Sequence, residues 1–277
     1  MKISTTLIGS AAVLVLAGAG YWFWQRQTAP APAPQPQAVV LPVSPPAASA
    51  ATAATAASTP AVEQYPVAAP AATAAASAPQ GVEDWLALLF GRAALKTIFI
   101  SADFVPHFVA TVDGLGRERA SPQVWPVTGP SGPLVVGRSG DAEVIAGANG
   151  ARYSPYVRLL DAMNLDRFMA AYRALYPQFQ QAYRELGYPH GFFNDRFIAV
   201  LDQLIATPVP RAALRIRRPV VAGSQPTGGH VLYVFDDPAL EAMAAGQKIL
   251  LRMGPINERH VQARLKELRR RLAAGAR

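Results

Sequence analysis

The stretch "LDRFMAAYRALYPQFQQAYRELGYPHGFFNDRFIAVLDQLIATP", Leu165 to Pro208, decides the fold. Leu165, Phe168, Tyr172, Leu175, Phe179, Tyr183 and Leu186 recur three or four residues apart, which on a 3.6-residue turn makes one sustained apolar stripe. Pro177 falls inside it, lacks an N–H and crowds the carbonyl of Arg173, so a kink is expected there. Gly187 stands just past the stripe, where a helix ends in a left-handed cap, and Pro189 follows two residues later. Asn194 is placed to cap a second helix, with Asp195 favourable at its positive end and Phe193 and Ile198 at the flanking staple positions. Phe197, Val200 or Leu201, and Leu204 continue inward, and Pro208 ends the helix. Every residue type here except His190 has a structural reason, so the stretch reads as a joint between two helices rather than an active site.

Toward the C-terminus, "ALRIRRPVVAG" and "HVLYVFDD" read as two strands, Leu214 and Ile216 alternating with Arg215 and Arg217, joined by the turn "GSQPTGG". "DPALEAMAAGQKILLRMG" reads as one helix whose Ala242-x-x-x-Gly246 spacing allows close helix contact. Gly254 and Pro255 then punctuate the chain, and "INERHVQARLKELRRRLAA" closes it as a basic amphipathic helix. Toward the N-terminus, "SPYVRLLDAM" places Ser154 as N-cap and Pro155 at the first helical position. The Gly/Pro/Ser-rich segment before it, Arg117 to Gly150, reads as irregular, with short strands at Leu134–Val136 and Glu143–Ile145. "SADFVPHFVATVDGLG" puts Phe104, Phe108, Val112 and Leu115 on one helical face, with Ser101 or Asp103 as cap and Gly114 as terminator. "EDWLALLFG", Glu83 to Gly91, begins another helical pattern.

Composition changes before Gly81. Residues 28–80 are Ala/Pro-rich, and Glu63 and Tyr65 are their only ionisable side chains. Repeated Ala-Pro units favour extended conformations and offer no periodic apolar face, so this reads as a disordered linker. Before it, Thr5 to Trp24 carries no charge and is long enough, at about 30 Å of helix, to cross a bilayer. Tyr21, Trp22 and Trp24 sit where the second interface falls. An uncleaved anchor over 1–27 is preferred to a signal peptide cut near Ala17-Gly18-Ala19, because the apolar run continues past that site. Lys2 before the span and a scarcity of basic residues after Arg26 favour an N-inside orientation, with the C-terminal domain in the periplasm.

Four pieces, "FVATVDGLGR" with a later "WPV", "RYSPYVRLLDAM", the long "YRALYPQFQQAYRELGYPHGFFNDRFIAVLDQLIATP", and "AGQKILLRMGPINERHVQARLKELRRRL", together resemble a bacterial family, domain of unknown function 3014. They cover most of residues 83–272 in order. The resemblance implies a membrane-anchored envelope protein with a Pro/Ala linker. It implies no activity, ligand or catalytic residue, so none is carried over.

The chemistry-bearing residues are sparse. With no cysteine among 277 residues, disulfides and thiolate metal sites are excluded. His107, His190, His230 and His260 include no i, i+4 pair and no H-E-x-x-H. "GSQPTGGH" has the glycine spacing of a phosphate loop but Gly229 and His230 where Lys and Ser/Thr are needed, and no serine stands in a nucleophile elbow. Asp195 and Asp202, seven apart, fall on nearly one helix face and are the best candidate acid pair. The formal charge of +8 lies mostly in the folded part. Its C-terminal run includes Arg264, Arg269 and Arg270 beside the apolar stripe Val261, Leu265, Leu268 and Leu272, and an anionic surface is the partner such a face suits.

The expected protein is therefore mainly α with a small β component: an anchor over 1–27, a disordered linker over 28–80, and a compact helical domain over 81–277. It is read as a non-catalytic binding or scaffolding protein of the periplasm, without cofactor or metal. Its expected partner is an unidentified envelope protein or an anionic surface, and no nucleic acid is expected. The alternative is a cell-wall or lipid hydrolase. His190, Asp195, Asp202, Arg264, Arg269 and Arg270 are the candidate binding residues.

Overall fold

A computed structural model describes residues 62–69, 79, 81–219 and 232–274. All described residues belong to one compact unit within Ser58–Arg277. The anchor expected over 1–27, most of the linker over 28–80, and the turn joining the two late strands lie outside the described residues. Among the described residues no helix is long and apolar enough to cross a membrane.

The fold is mainly helical. Eight α-helices are described: α1 Val82–Thr97, α2 Phe104–Leu115, α3 Ser154–Ala162, α4 Leu165–Glu185, α5 Phe193–Ile205, α6 Pro238–Glu241, α7 Ala245–Met253 and α8 Pro255–Ala274. Between α2 and α3 a hairpin pairs β1, Val136–Ser139, antiparallel to β2, Ala142–Ile145, with Val136 opposite Ile145. The strands β3, Ile216–Arg217, and β4, Val234–Phe235, form a second antiparallel pair, and a bridge from Val144 to Arg215 links the two. α4 and α5 fold back on each other; α2 lies across both, and α8 runs along α5 and α3.

The apolar stripe of α4 enters the core with that of α5: Tyr172, Phe179, Phe193, Phe197 and Leu201 are buried together with Val109 and Val112 of α2. The stripe of α8 closes it, Val261, Leu265, Leu268 and Leu272 all being buried. A smaller cluster of Ile216, Phe235 and Leu251 sits under the hairpin. α4 ends as anticipated. Gly187 takes a φ of 112°, its N–H reaches Arg184 O at 3.1 Å, and Tyr188 N–H reaches Tyr183 O at 3.3 Å, the paired bonds of a Schellman motif. α4 passes through Pro177 as a single helix.

Helix starts differ from the sequence reading. Ser154 is the first residue of α3 and caps nothing, because the chain arrives already coiled in a 3-10 helix over Gly147–Tyr153. Asp103 precedes α2 in the left-handed region without a side-chain cap, and α2 runs one residue past Gly114. Asn164, not singled out beforehand, caps α4 by accepting from the N–H groups of Asp166 and Arg167, each at 3.0 Å. Asn194 is not the cap of α5. That position belongs to Phe192, and the orphan N–H of Phe193 is taken by Gln180 of α4 at 2.9 Å, while the Gln180 amide donates to Gly191 O at 2.8 Å. A neighbouring helix thus caps the joint.

The helix expected over "DPALEAMAAGQKILLRMG" is two, α6 and α7, separated by Ala242–Ala244. The bend seats the Ala245 N–H on Arg117 O at 2.7 Å and presses Gly246 against α2 and α5. A Cβ on Gly246 would lie 2.5 Å from Leu204 Cδ2 and 3.1 Å from Leu115 O. Only a glycine admits that approach.

Candidate functional site

The start of α5 holds a short length of the chain's own preceding segment. Residues 62–69, "VEQYPVAA", fall within the expected linker, and they alternate: Glu63, Tyr65 and Val67 are partly buried while Val62, Gln64, Pro66 and Ala68 are exposed. Period two is the signature of extended backbone. Tyr65 and Val67 pack against the main core.

The segment is gripped through its main chain. The Asp195 carboxylate accepts the Gln64 N–H and the Tyr65 N–H, each at 2.9 Å, one on each oxygen. The Asn194 side chain donates to Tyr65 O at 2.7 Å, and its own oxygen accepts the Tyr172 hydroxyl at 2.9 Å. The Tyr176 hydroxyl lies 3.3 Å from Glu63 Oε1, and burial followed by the Glu63 charge holds that hydroxyl well above the usual tyrosine range. Arg269 stacks over the Tyr65 ring at 5.9 Å while binding Asp202 through two bonds of 2.8 and 3.0 Å. The bidentate pair orients the guanidinium, and the cation over the ring adds attraction.

Of the sequence candidates, Asp195 and Arg269 therefore meet at this segment, and Asp202 reaches it only through Arg269. His190 does not join them: it is exposed in the α4–α5 turn and makes no hydrogen bond or ion pair among the described residues. Arg264 belongs elsewhere, donating to Leu160 O at 3.3 Å and Met163 O at 2.5 Å and so closing the C-terminal end of α3. It also pairs with Glu267 at 3.2 Å. Arg270 is exposed, on a face shared with Arg259 and Lys266, which stand eleven and four residues before it. Asp195 and Asp202 bind different groups, one two backbone amides and the other a guanidinium, so the pair does not present two acids to one reacting bond. Among the described residues no group of three or more acidic or histidine side chains is placed to hold a metal ion.

Three sets of residues escaped the sequence reading. Asn194, Tyr172 and Tyr176 act as a polar grip, though the first looked like a cap and the tyrosines like core. Asp113 is buried and binds Arg196 at 2.9 Å and Arg117 at 2.6 Å, with the Tyr188 hydroxyl at 3.2 Å, tying α2 to α5. Glu258 in the first turn of α8 is fully buried, both its oxygens lack a partner among the described residues, and burial pushes its carboxyl up to about 7 against the opposing pull of Arg259. The one available signal was that Glu63 and Tyr65 are the only ionisable side chains in 53 otherwise bland positions of the linker, residues 28–80.

A family model described as a protein of unknown function (DUF3014) matches residues 104–269, from the first residue of α2 into α8. No curated protein and no solved structure gives a match.

Proposed function

This chain belongs to the DUF3014 family of proteins of unknown function, and we propose that its helical domain is a non-catalytic binding module of the cell envelope. The observation that carries this reading is the grip of Asp195 and Asn194 on the backbone of Gln64 and Tyr65. Main-chain bonds give affinity for an extended segment, and pockets for alternate side chains give selectivity. The surface selects a tyrosine with an acid two residues before it, and the chain's own residues 62–69 are its resident occupant. In the same reading the Thr5–Trp24 run anchors the protein in the cytoplasmic membrane and the domain lies in the periplasm. The partner is an envelope protein presenting such a segment. The exposed Arg259, Lys266 and Arg270 face suits an anionic surface as a second contact.

The hydrolase alternative needs converging acid and base groups, and the engagement of Asp195 and Asp202 with separate partners weighs against it. The test uses full-length protein carrying Tyr65→Ala, which weakens the resident segment, and a fluorescent peptide of sequence VEQYPVAA. Saturable binding in trans is expected, lost on adding Asp195→Ala and retained on adding His190→Ala. Absence of binding to the Tyr65→Ala protein, with a normal melt, would refute the reading. For localisation, a periplasm-active reporter fused after residue 80 is expected to be active; activity only in a cytoplasmic reporter would overturn that part.

A further inference from the structure

Apart from the Asp195 grip, the domain contains an apolar cavity of about 320 Å³ between α1 and the floor made by α4 and α5. Trp85 and Leu89 line it from α1, Ala171 and Leu201 from the floor, and Phe99 and Phe108 from the end. Two hydroxyls stand in the wall and both are engaged elsewhere: Thr111 donates to Val124 O at 3.0 Å and Tyr172 to Asn194 at 2.9 Å. Water needs two to four polar partners to occupy a buried site, and beyond the Trp85 indole N–H the lining side chains offer none that is free.

Protein interiors leave few voids larger than a water molecule, and a partly open apolar pocket of this size leaves apolar surface that an occupant would cover. Its shape also argues for an occupant. Phe90, Phe99, Phe104, Phe108 and Phe179 follow one another with centroid separations of 4.8, 6.3, 5.9 and 5.1 Å, making one wall long rather than round. α1 is the least embedded wall, with only Trp85 and Leu86 buried among its 16 residues.

We propose that this cavity binds a single hydrocarbon chain of roughly a dozen carbons, scaled from an apolar cavity of about 150 Å³ that accommodates benzene. The chain is the acyl tail of either a free fatty acid or a membrane lipid, its polar end left outside α1. The cavity and the peptide grip share Tyr172, whose ring lines the wall while its hydroxyl supports Asn194, but none of residues 62–69 lines the cavity.

The experiment is photolabelling of full-length protein in its native membranes. Two probes are used, a twelve-carbon fatty acid with a chain-terminal diazirine and a phospholipid carrying the same acyl chain, with adducts mapped by mass spectrometry. Adducts on the α1 and Phe99–Phe108 peptides are expected with at least one probe, and which probe labels identifies the source of the tail. Ala171→Phe places a ring in the cavity and is expected to reduce those adducts by about tenfold, equivalent to about 1.4 kcal/mol, without lowering the melting temperature. Leu89→Trp, on the partly buried α1 wall, serves if Ala171→Phe folds poorly. Labelling confined to the Thr5–Trp24 segment and exposed surfaces, or cavity labelling that persists in a well-folded filling variant, would overturn the proposal.

Discussion

Glu258 is the residue whose environment most contradicts its chemistry. An isolated buried carboxylate is disfavoured in its charged form, which is why its titration moves up to about 7 from 4.5. The unfolded chain therefore loses this proton near pH 4.5 and the folded protein near pH 7. Between those values the folded state binds more protons, so stability falls as pH rises through the window and levels off above it. A shift of this size corresponds to about 3 kcal/mol between the two plateaus. Chemical denaturation of wild type and Glu258→Gln from pH 4 to 8.5 is expected to show this fall in wild type and its loss in the variant. Parallel pH profiles would place the proton elsewhere. Asn194 makes a different residue-scale prediction. Truncation to alanine leaves the Tyr172 hydroxyl and Tyr65 carbonyl unpaired and is expected to cost about 1–3 kcal/mol. His190→Ala, at an exposed turn, is expected to stay within about 0.5 kcal/mol of wild type by the same melts. In the sequence reading His190 alone had no structural task, and in the structure it is exposed in the turn. It misplaced Asn194 by assuming that an asparagine near a helix start serves that start.

At the scale of elements, periodicity was a reliable guide and capping was not. The stripes of α4, α5 and α8 lie in the core, apart from Leu186, which is exposed just past the end of α4, because i, i+3 and i+4 spacing fixes a helix face before any tertiary contact forms. The first orphan amide of α5, by contrast, is satisfied by Gln180 across the joint, a residue thirteen positions away that reads as an ordinary polar side chain within α4. Gln180→Ala is therefore expected to behave as a cap deletion, costing about 0.5–2 kcal/mol. It should also speed hydrogen exchange at Phe193 N–H relative to the middle of α5. An unchanged exchange rate there would mean that the start of α5 does not depend on α4. The break between α6 and α7 was invisible for a related reason. Nothing local in "ALEAMAAGQK" forbids a continuous helix, and it is the close approach of Gly246 to Leu204 and Leu115 that bends the chain.

For the whole molecule, the segment 62–69 changes what the expected linker does. Its main chain is bound by Asp195 and Asn194 at the start of α5. Limited proteolysis of the full-length protein is expected to cut within 28–61 and 70–80 and to spare 62–69, with Asp195→Ala exposing that segment to cleavage at or near Tyr65. Cleavage there at the wild-type rate of the flanking residues would mean that the grip is too weak to matter. The family model begins at residue 104, so α1 and this segment both lie outside the matched span.

By itself, the sequence determined the helical class, the faces that pack, the glycine-ended joint after α4 and the absence of thiol chemistry. Each follows from local rules, side-chain period or residue type, that hold whatever the rest of the chain does. Only the tertiary structure decided that a bland Ala/Pro stretch contributes eight residues to the domain, that Asp195 faces amides while Asp202 faces an arginine, that Glu258 is stranded in the core, and that a cavity remains beneath α1. A cavity is a volume that many side chains fail to fill together, and a buried charge is defined by what surrounds it. Both are properties of packing between distant elements, and no window along the chain contains them.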